Sequence, residues 1–202
     1  MRRARLATQD GKPHSSYTLR TPFVHSSYTL VHPSQAAVDG LIDGAFYNAG
    51  QSCCSIERVY VHESVHDRFI ESALEAVRAY RLGDPFDEET TMGPLALPSA
   101  PAFLAAQVAD AVSKGAKLLC GGEPTSDAKG NGRFFAPTLL IECDHTMDLM
   151  VEESFGPVLG VQKVSADAEV RRPSNLRLPH GHEARAPTMA LSYPAEPTLH
   201  QT

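Results

Sequence analysis

The chain has 202 residues, 42% of them hydrophobic, which is enough for one core of ordinary size. Lysine and arginine number 18 against 24 aspartates and glutamates, a mildly acidic balance without the basic stripe of a nucleic-acid binder. No apolar run approaches the ~18 to 20 residues that span a bilayer, so neither nucleic acid nor a membrane is an expected partner.

The N-terminus, Met1-Arg2-Arg3-Ala4-Arg5-Leu6, is basic but lacks the apolar stretch of a secretory signal. A mitochondrial presequence is the minor alternative, and Gly11 and Pro13 interrupt the amphipathic helix it would need. Four cysteines, Cys53, Cys54, Cys120 and Cys143, give no spaced framework, and adjacent cysteines rarely bridge because the geometry is strained. A reducing compartment, the cytoplasm, is the expected location.

Residues 1–33 read as an irregular segment containing a short duplication. His14-Ser15-Ser16-Tyr17-Thr18-Leu19 recurs eleven positions later as His25-Ser26-Ser27-Tyr28-Thr29-Leu30. Two copies do not build a solenoid, which needs at least three. Regular structure is expected after Pro33, with Ser34 as N-cap and Val38, Leu41, Ile42, Ala45 and Phe46 on one helix face. Gly50 stops that helix, and Arg58-Val59-Tyr60-Val61-His62 reads as a strand.

A second helix opens at Ser64 with Asp67 in near capping-box form and carries Phe69, Ala73, Val77 and Tyr80 on one face. Gly83-Asp84-Pro85 ends it, and residues 87–94 form a polar loop. A third helix runs through Phe103, Leu104, Gln107, Val108, Ala111 and Val112 to a stop at Lys114-Gly115. Lys117-Leu118-Leu119-Cys120 is a candidate buried strand. Strand character returns at Thr138-Leu139-Leu140-Ile141 and at Pro157-Val158-Leu159-Gly160-Val161. Strands alternating with helices of this length predict an α/β layered domain with a mainly parallel sheet. From residue 165 to 202, five prolines break the pattern, and a disordered or non-homologous tail is expected.

The stretch Phe46-Tyr47-Asn48-Ala49-Gly50-Gln51-Ser52-Cys53 puts a cysteine just past a Gly-Gln turn between a helix and a strand. It resembles the F-x-N-x-G-Q-x-C active-site pattern of the aldehyde dehydrogenase superfamily. Further matches follow in order. They are Leu82-Gly83-Asp84-Pro85 with Met92-Gly93-Pro94-Leu95, then Phe135-Ala136-Pro137-Thr138-Leu139, then Glu152-Glu153-Ser154-Phe155-Gly156-Pro157-Val158. The resemblance covers about residues 38–164 and implies a three-layer α/β/α catalytic-domain fragment occupying 34–164.

It also implies an oxidoreductase converting an aldehyde to a carboxylic acid with NAD or NADP. Cys53 is then the catalytic thiol. It adds to the aldehyde to give a thiohemiacetal, which loses hydride to leave a thioester for hydrolysis. The Cys53 backbone N–H would hold part of the developing oxyanion charge. Glu153 would reach the ribose beside the nicotinamide, and Phe155 would pack near that ring. Read on residue type alone, Glu153 is a solvated carboxylate, Phe155 a core ring, and Ser52 and Cys54 packing residues. The histidine groupings Cys143-x-His145 and His180-x-His182 lack the spacing of a zinc site, so no metal ligands are expected and the rings read as solvated.

The family's general base is a glutamate upstream of the cysteine, and no glutamate precedes Glu57. Thr8-Gln9-Asp10-Gly11-Lys12 echoes its E-L-G-G-K surroundings. Thr8 lies 45 positions before Cys53, or 34 once one copy of the eleven-residue repeat is removed. Threonine cannot take the proton. No Gly-rich dinucleotide fingerprint occurs either. The alternative expectation is therefore a truncated, catalytically impaired form that acts by association with a full-length aldehyde dehydrogenase subunit.

Overall fold

Strands β1 (Ser26–Leu30), β2 (Ile56–His62), β7 (Val158–Val164), β6 (Thr138–Ile141) and β3 (Lys117–Cys120) form, in that spatial order, the sheet on which the molecule is built. A computed structural model describes residues 26–30, 35–166 and 169. The first copy of the duplication, Thr8, the Ser34 cap, His180, His182 and nearly all of the tail lie outside them. The pairs β1–β2, β2–β7 and β7–β6 are parallel, and only β3 runs antiparallel, against β6. A separate two-residue ladder joins β4 (Pro124–Thr125) to β5 (Phe134–Phe135).

Residues 56–61 and 158–161 are buried without alternation, the signature of strands covered on both faces. Helices α1 (Gln35–Phe46) and α2 (Glu63–Arg78) pack on each other and on β2 and β7. The short α4 (Asp148–Val151) lies over Gly160 of β7, where a Cβ would sit 2.4 Å from the Leu149 side chain. Helix α3 (Ala100–Ser113) packs beside α4 and over the small ladder. The result is an α/β layered unit with a mainly parallel sheet.

Helix α1 buries Val38, Leu41, Ile42, Ala45 and Phe46, the face its spacing predicts. Phe46 is fully buried and meets the half-buried Tyr80 ring with centroids 5.4 Å apart. Burying a side chain of this size is worth roughly 1.5 to 3 kcal/mol.

Three readings are corrected, in the N-terminal segment, at β3 and at the cap of α2. The segment expected to be irregular to residue 33 contains β1. Its Ser-Ser-Tyr-Thr-Leu sequence becomes a strand through parallel pairing with β2, a contact no local pattern reports. The strand β3 is the sheet edge and not buried. Lys117 and Leu118 are exposed, and only one flank has a partner. On α3, Phe103 and Val112 are exposed while Leu104, Gln107, Val108 and Ala111 are buried.

Helix α2 is capped by His62 and not by Ser64. The His62 Nδ1 accepts from the Ser64 N–H at 3.2 Å, and Nε2–H donates to the Ser165 carbonyl at 3.1 Å, which fixes the tautomer. The His62→Ala variant is expected to lose about 1 kcal/mol, the usual cost of deleting an N-cap, read as a lower urea midpoint at unchanged slope.

Candidate active site

Helix α1 ends at the buried Phe46, and the chain leaves it through a single 3-10 turn, Tyr47–Gly50. Asn48, Ala49 and Gly50 all take positive φ, at 51°, 57° and 70°. Two of them carry a Cβ and adopt that conformation only at a cost, which the surrounding hydrogen bonds must offset. Asn48 Nδ2 donates to the Gln51 carbonyl and Gln51 Nε2 to the Asn48 carbonyl, both at 3.1 Å. Gln51 also reaches outward: its Oε1 accepts from Ala96 N–H at 2.7 Å and its Nε2 donates to the Pro94 carbonyl at 3.4 Å. Ser55 Oγ ties the far end of the turn back to α1 through the Ala45 carbonyl.

Cys53 and Cys54 stand exposed at the tip, with sulfurs 4.0 Å apart. The hydrogen bond to Cys53 and then its charge push the Cys54 thiol above its ordinary value. Ser52 is more than packing, because its Oγ accepts from the Cys54 N–H. The Cys53 N–H has no acceptor among the described residues. Cys143, by contrast, is buried, and its desolvated thiol is pushed up to about 12.

The loop 152–156 lies against this turn. A Cβ built on Gly50 would fall 2.1 Å from the Gly156 carbonyl oxygen, so the two backbones touch where only glycine allows it. The loop is held from below by β2. Glu57 Oε1 accepts from the Ser154 and Phe155 N–H groups at 2.8 and 2.9 Å, and Arg58 Nη2 donates to the Glu152 carbonyl at 3.1 Å. Glu57 and Arg58 are themselves buried and paired at 3.3 Å.

Glu153 is exposed, and its carboxylate has no partner among the described residues. Phe155 is 44% exposed, at φ 51°, and is not the core ring that residue type alone suggests. The structure thus brings the loop carrying Glu153 and Phe155 against the turn carrying Cys53. The other two motifs join the same assembly: Leu95 N–H donates to the Arg133 carbonyl, and Thr138 N–H to the Pro157 carbonyl.

Sequence reasoning passed over Glu57 and Arg58. Their signal is two charged residues inside the strand Ile56–His62, where burial on both faces leaves no solvent for either. Four large apolar side chains near this site are also exposed. Tyr47 and Phe155 flank the Gly50–Gly156 contact, Leu97 follows the Gln51–Ala96 bond, and Phe103 precedes Leu104, whose side chain packs on Gly156. A surface cavity of ≈ 410 Å³ lies elsewhere, between residues 83–85, Pro94, Asp127 and residues 131–134. The Asp127 carboxylate there is engaged by its own loop through Lys129 N–H, Asn131 N–H and Asn131 Nδ2. Among the described residues no group of three or more His, Cys, Asp or Glu side chains is placed to hold a metal.

His145 is not solvated. Its ring stacks on Tyr60 and its Nε2 lies 2.7 Å from the Tyr60 hydroxyl. Burial first, and then the Arg58 charge, hold it below its ordinary value of 6.5. With the folded value depressed, the unfolded chain takes up the proton first as pH falls, so stability is lost below about 6.5. Asp67, Asp110, Asp127 and Asp144 are also held low, but they act in the acid range below their ordinary 3.8. The melting temperature is expected to fall between pH 7 and 5, and the fall should be shallower in His145→Gln; parallel slopes in the two proteins would remove His145 as the cause.

Residues 30–180 match the model of the aldehyde dehydrogenase family, a wider stretch than the motifs themselves span. The betaine aldehyde dehydrogenase of Brucella ovis is 39% identical over 137 residues, which are 67% of this chain and 28% of that protein. Among solved structures, 3,6-anhydro-L-galactose dehydrogenase in complex with NAP superposes with a TM-score of 0.70 at 33% identity, over 75% of this chain and 32% of that one. The betaine aldehyde dehydrogenase of Staphylococcus aureus in complex with NAD+ gives 0.68 at 31% identity, over 74% and 30%. The chain thus spans less than a third of the length of the relatives it matches.

Proposed function

The chain belongs to the aldehyde dehydrogenase family, and we propose that it oxidises an aldehyde to the carboxylic acid with NAD or NADP, using Cys53 as nucleophile. One observation carries this reading. The exposed Cys53 sits on a turn whose backbone is locked at Gly50 against Gly156, in the loop that presents Glu153 and Phe155.

The Cys53 thiolate adds to the aldehyde carbon, and a thiohemiacetal forms on sulfur. The unengaged Cys53 N–H is available to the oxygen on which negative charge develops. The residues facing this turn fit a nicotinamide nucleotide: the free Glu153 carboxylate suits ribose hydroxyls, and the exposed Phe155 ring suits a flat heterocycle. When bound, that cofactor would supply the acceptor for hydride, leaving a thioester on Cys53 that water would cleave to the carboxylic acid and the free thiol. The four cysteines are free, which supports a reducing location such as the cytoplasm.

The nucleophile is tested without cofactor by treating the chain with p-nitrophenyl acetate. The expected result is a burst of nitrophenolate and an acetyl group mapped to Cys53. Acetylation spread evenly over surface lysines, or confined to Cys54, would overturn the assignment. The full reaction is followed as absorbance of reduced cofactor over a panel of aldehydes, and the expected signal is absent without aldehyde.

A second reading, association with a longer family subunit, is favoured by the exposed Tyr47, Leu97, Phe103 and Phe155 around the same turn. Co-elution of the chain with such a subunit in size-exclusion chromatography is the expected result, weakened by Leu97→Lys. Elution of the chain alone at every mixing ratio would sink it.

A further inference from the structure

We infer that Glu57 is a positioning residue for the cofactor side of the site, acting through the backbone of the loop 152–156. The inference rests on the oxidoreductase reading above and names what holds that loop in register with the Cys53 turn.

Four observations converge on it. Glu57 is 4% exposed, yet its Oε1 accepts two successive backbone N–H groups, from Ser154 and Phe155. Two aligned donors on one carboxylate oxygen fix the direction of a peptide segment as well as its distance. The neighbouring Arg58 guanidinium pairs with Oε2 and donates to the Glu152 carbonyl, so the same pair grips the loop on both sides of Glu153. The Ser154 hydroxyl is buried without a hydrogen-bond partner, so the loop is held here by its backbone and not by that side chain. Phe155 is kept at φ 51°, a conformation that a phenylalanine leaves unless its surroundings over-determine it.

A buried ion pair is weak support for stability, since apolar residues of equal volume often serve as well. What this pair supplies is orientation. It sets the plane of the peptide from which Glu153 and Phe155 project. The Cys53 turn is held independently, through Gln51 to Pro94 and Ala96. The two sides of the site therefore have separate anchors that meet at Gly50 and Gly156.

Two variants separate charge from reach. Glu57→Gln keeps the shape but loses the charge. Glu57→Asp keeps the charge beside Arg58 but withdraws the oxygen by one methylene, and it carries the test if Glu57→Gln does not fold. In each folded variant, amide hydrogen exchange at Ser154 and Phe155 is expected to quicken about tenfold, the loss of a charge-assisted hydrogen bond. The KM for NAD or NADP should rise about tenfold while the KM for aldehyde and the rate of Cys53 alkylation by iodoacetamide stay within about twofold, because the anchors are independent.

Unchanged exchange in both variants would overturn the anchor itself. Faster exchange with an unchanged cofactor KM would reduce Glu57 to a packing role and overturn the inference. A wild-type chain that shows no cofactor-dependent turnover, while the exchange difference persists, would remove the oxidoreductase reading and the cofactor role with it, leaving the loop anchor standing as a separate result.

Discussion

Cys53→Ser is expected to lower aldehyde oxidation at least about a thousandfold, equivalent to about 4 kcal/mol of transition-state stabilisation. A thiol near neutrality supplies a small but useful fraction of a very nucleophilic anion, and a serine hydroxyl supplies almost none without an adjacent base. No histidine lies in the turn 47–55 to serve as that base. Serine preserves the backbone, so the N–H offered to the oxyanion stays in place and the variant should fold and melt as the wild type does. Cys54→Ser is the matched control. It removes a thiol 4.0 Å from Cys53 that no step of the proposed reaction uses, so the rate should stay within about threefold, as for a neighbour outside the chemistry. Equal loss in both variants would mean that the pair, and not Cys53, carries the reaction; loss in Cys54→Ser alone would reverse the assignment.

Gly50→Ala is expected to be the most damaging glycine-to-alanine change among the described residues. Its Cβ would lie 2.1 Å from the Gly156 carbonyl oxygen and 2.5 Å from the carbonyl carbon. Those atoms are backbone and have no rotamer by which to withdraw. The positive φ adds roughly 1 to 2 kcal/mol for any L side chain. Separating the two loops also strains the Glu57 contacts behind Gly156. A total of about 3 kcal/mol or more is expected, in the range that marks a specific steric cause. Acylation of Cys53 should be lost with it. A Cβ added at Gly40, in the middle of α1, would meet nothing within 4 Å, and Gly40→Ala is expected to stabilise by roughly 0.5 to 1 kcal/mol. Urea unfolding of the two variants side by side reads both effects, and similar midpoints would refute the backbone clash.

Sequence and structure agree where a property is local and disagree where it depends on a distant partner. The α1 face was legible because a run of five apolar residues at helical spacing leaves one way to bury them. The exposed state of Lys117 and Leu118 was not, since two leucines look alike on a central and an edge strand. The strand at Ser26–Leu30 depends wholly on pairing with Ile56–Val61. The His62 cap escaped because histidine is outside the usual capping set, although its Nδ1 accepts as well as a serine oxygen. At the site, the order of motifs was readable, whereas the Gly50–Gly156 contact and the Glu57 bonds to Ser154 and Phe155 join residues about a hundred positions apart. Spacing along a chain carries no record of such closures.

The order of the sheet has a kinetic consequence. Strand β7, the last described strand to emerge along the chain, pairs on one side with β2 and on the other with β6. The early strands must therefore wait, with an open slot between β2 and β6, until the final segment threads into the middle of the sheet. Such closure over a long intervening loop is entropically slow and raises contact order. The loop 152–156 immediately precedes that strand, so it reaches the cysteine turn only as β7 docks. During refolding, protection of Ser154 and Phe155 amides should therefore appear with the slowest phase, after α1 and α2 have formed their own hydrogen bonds. The thiol is made early and receives its surroundings last.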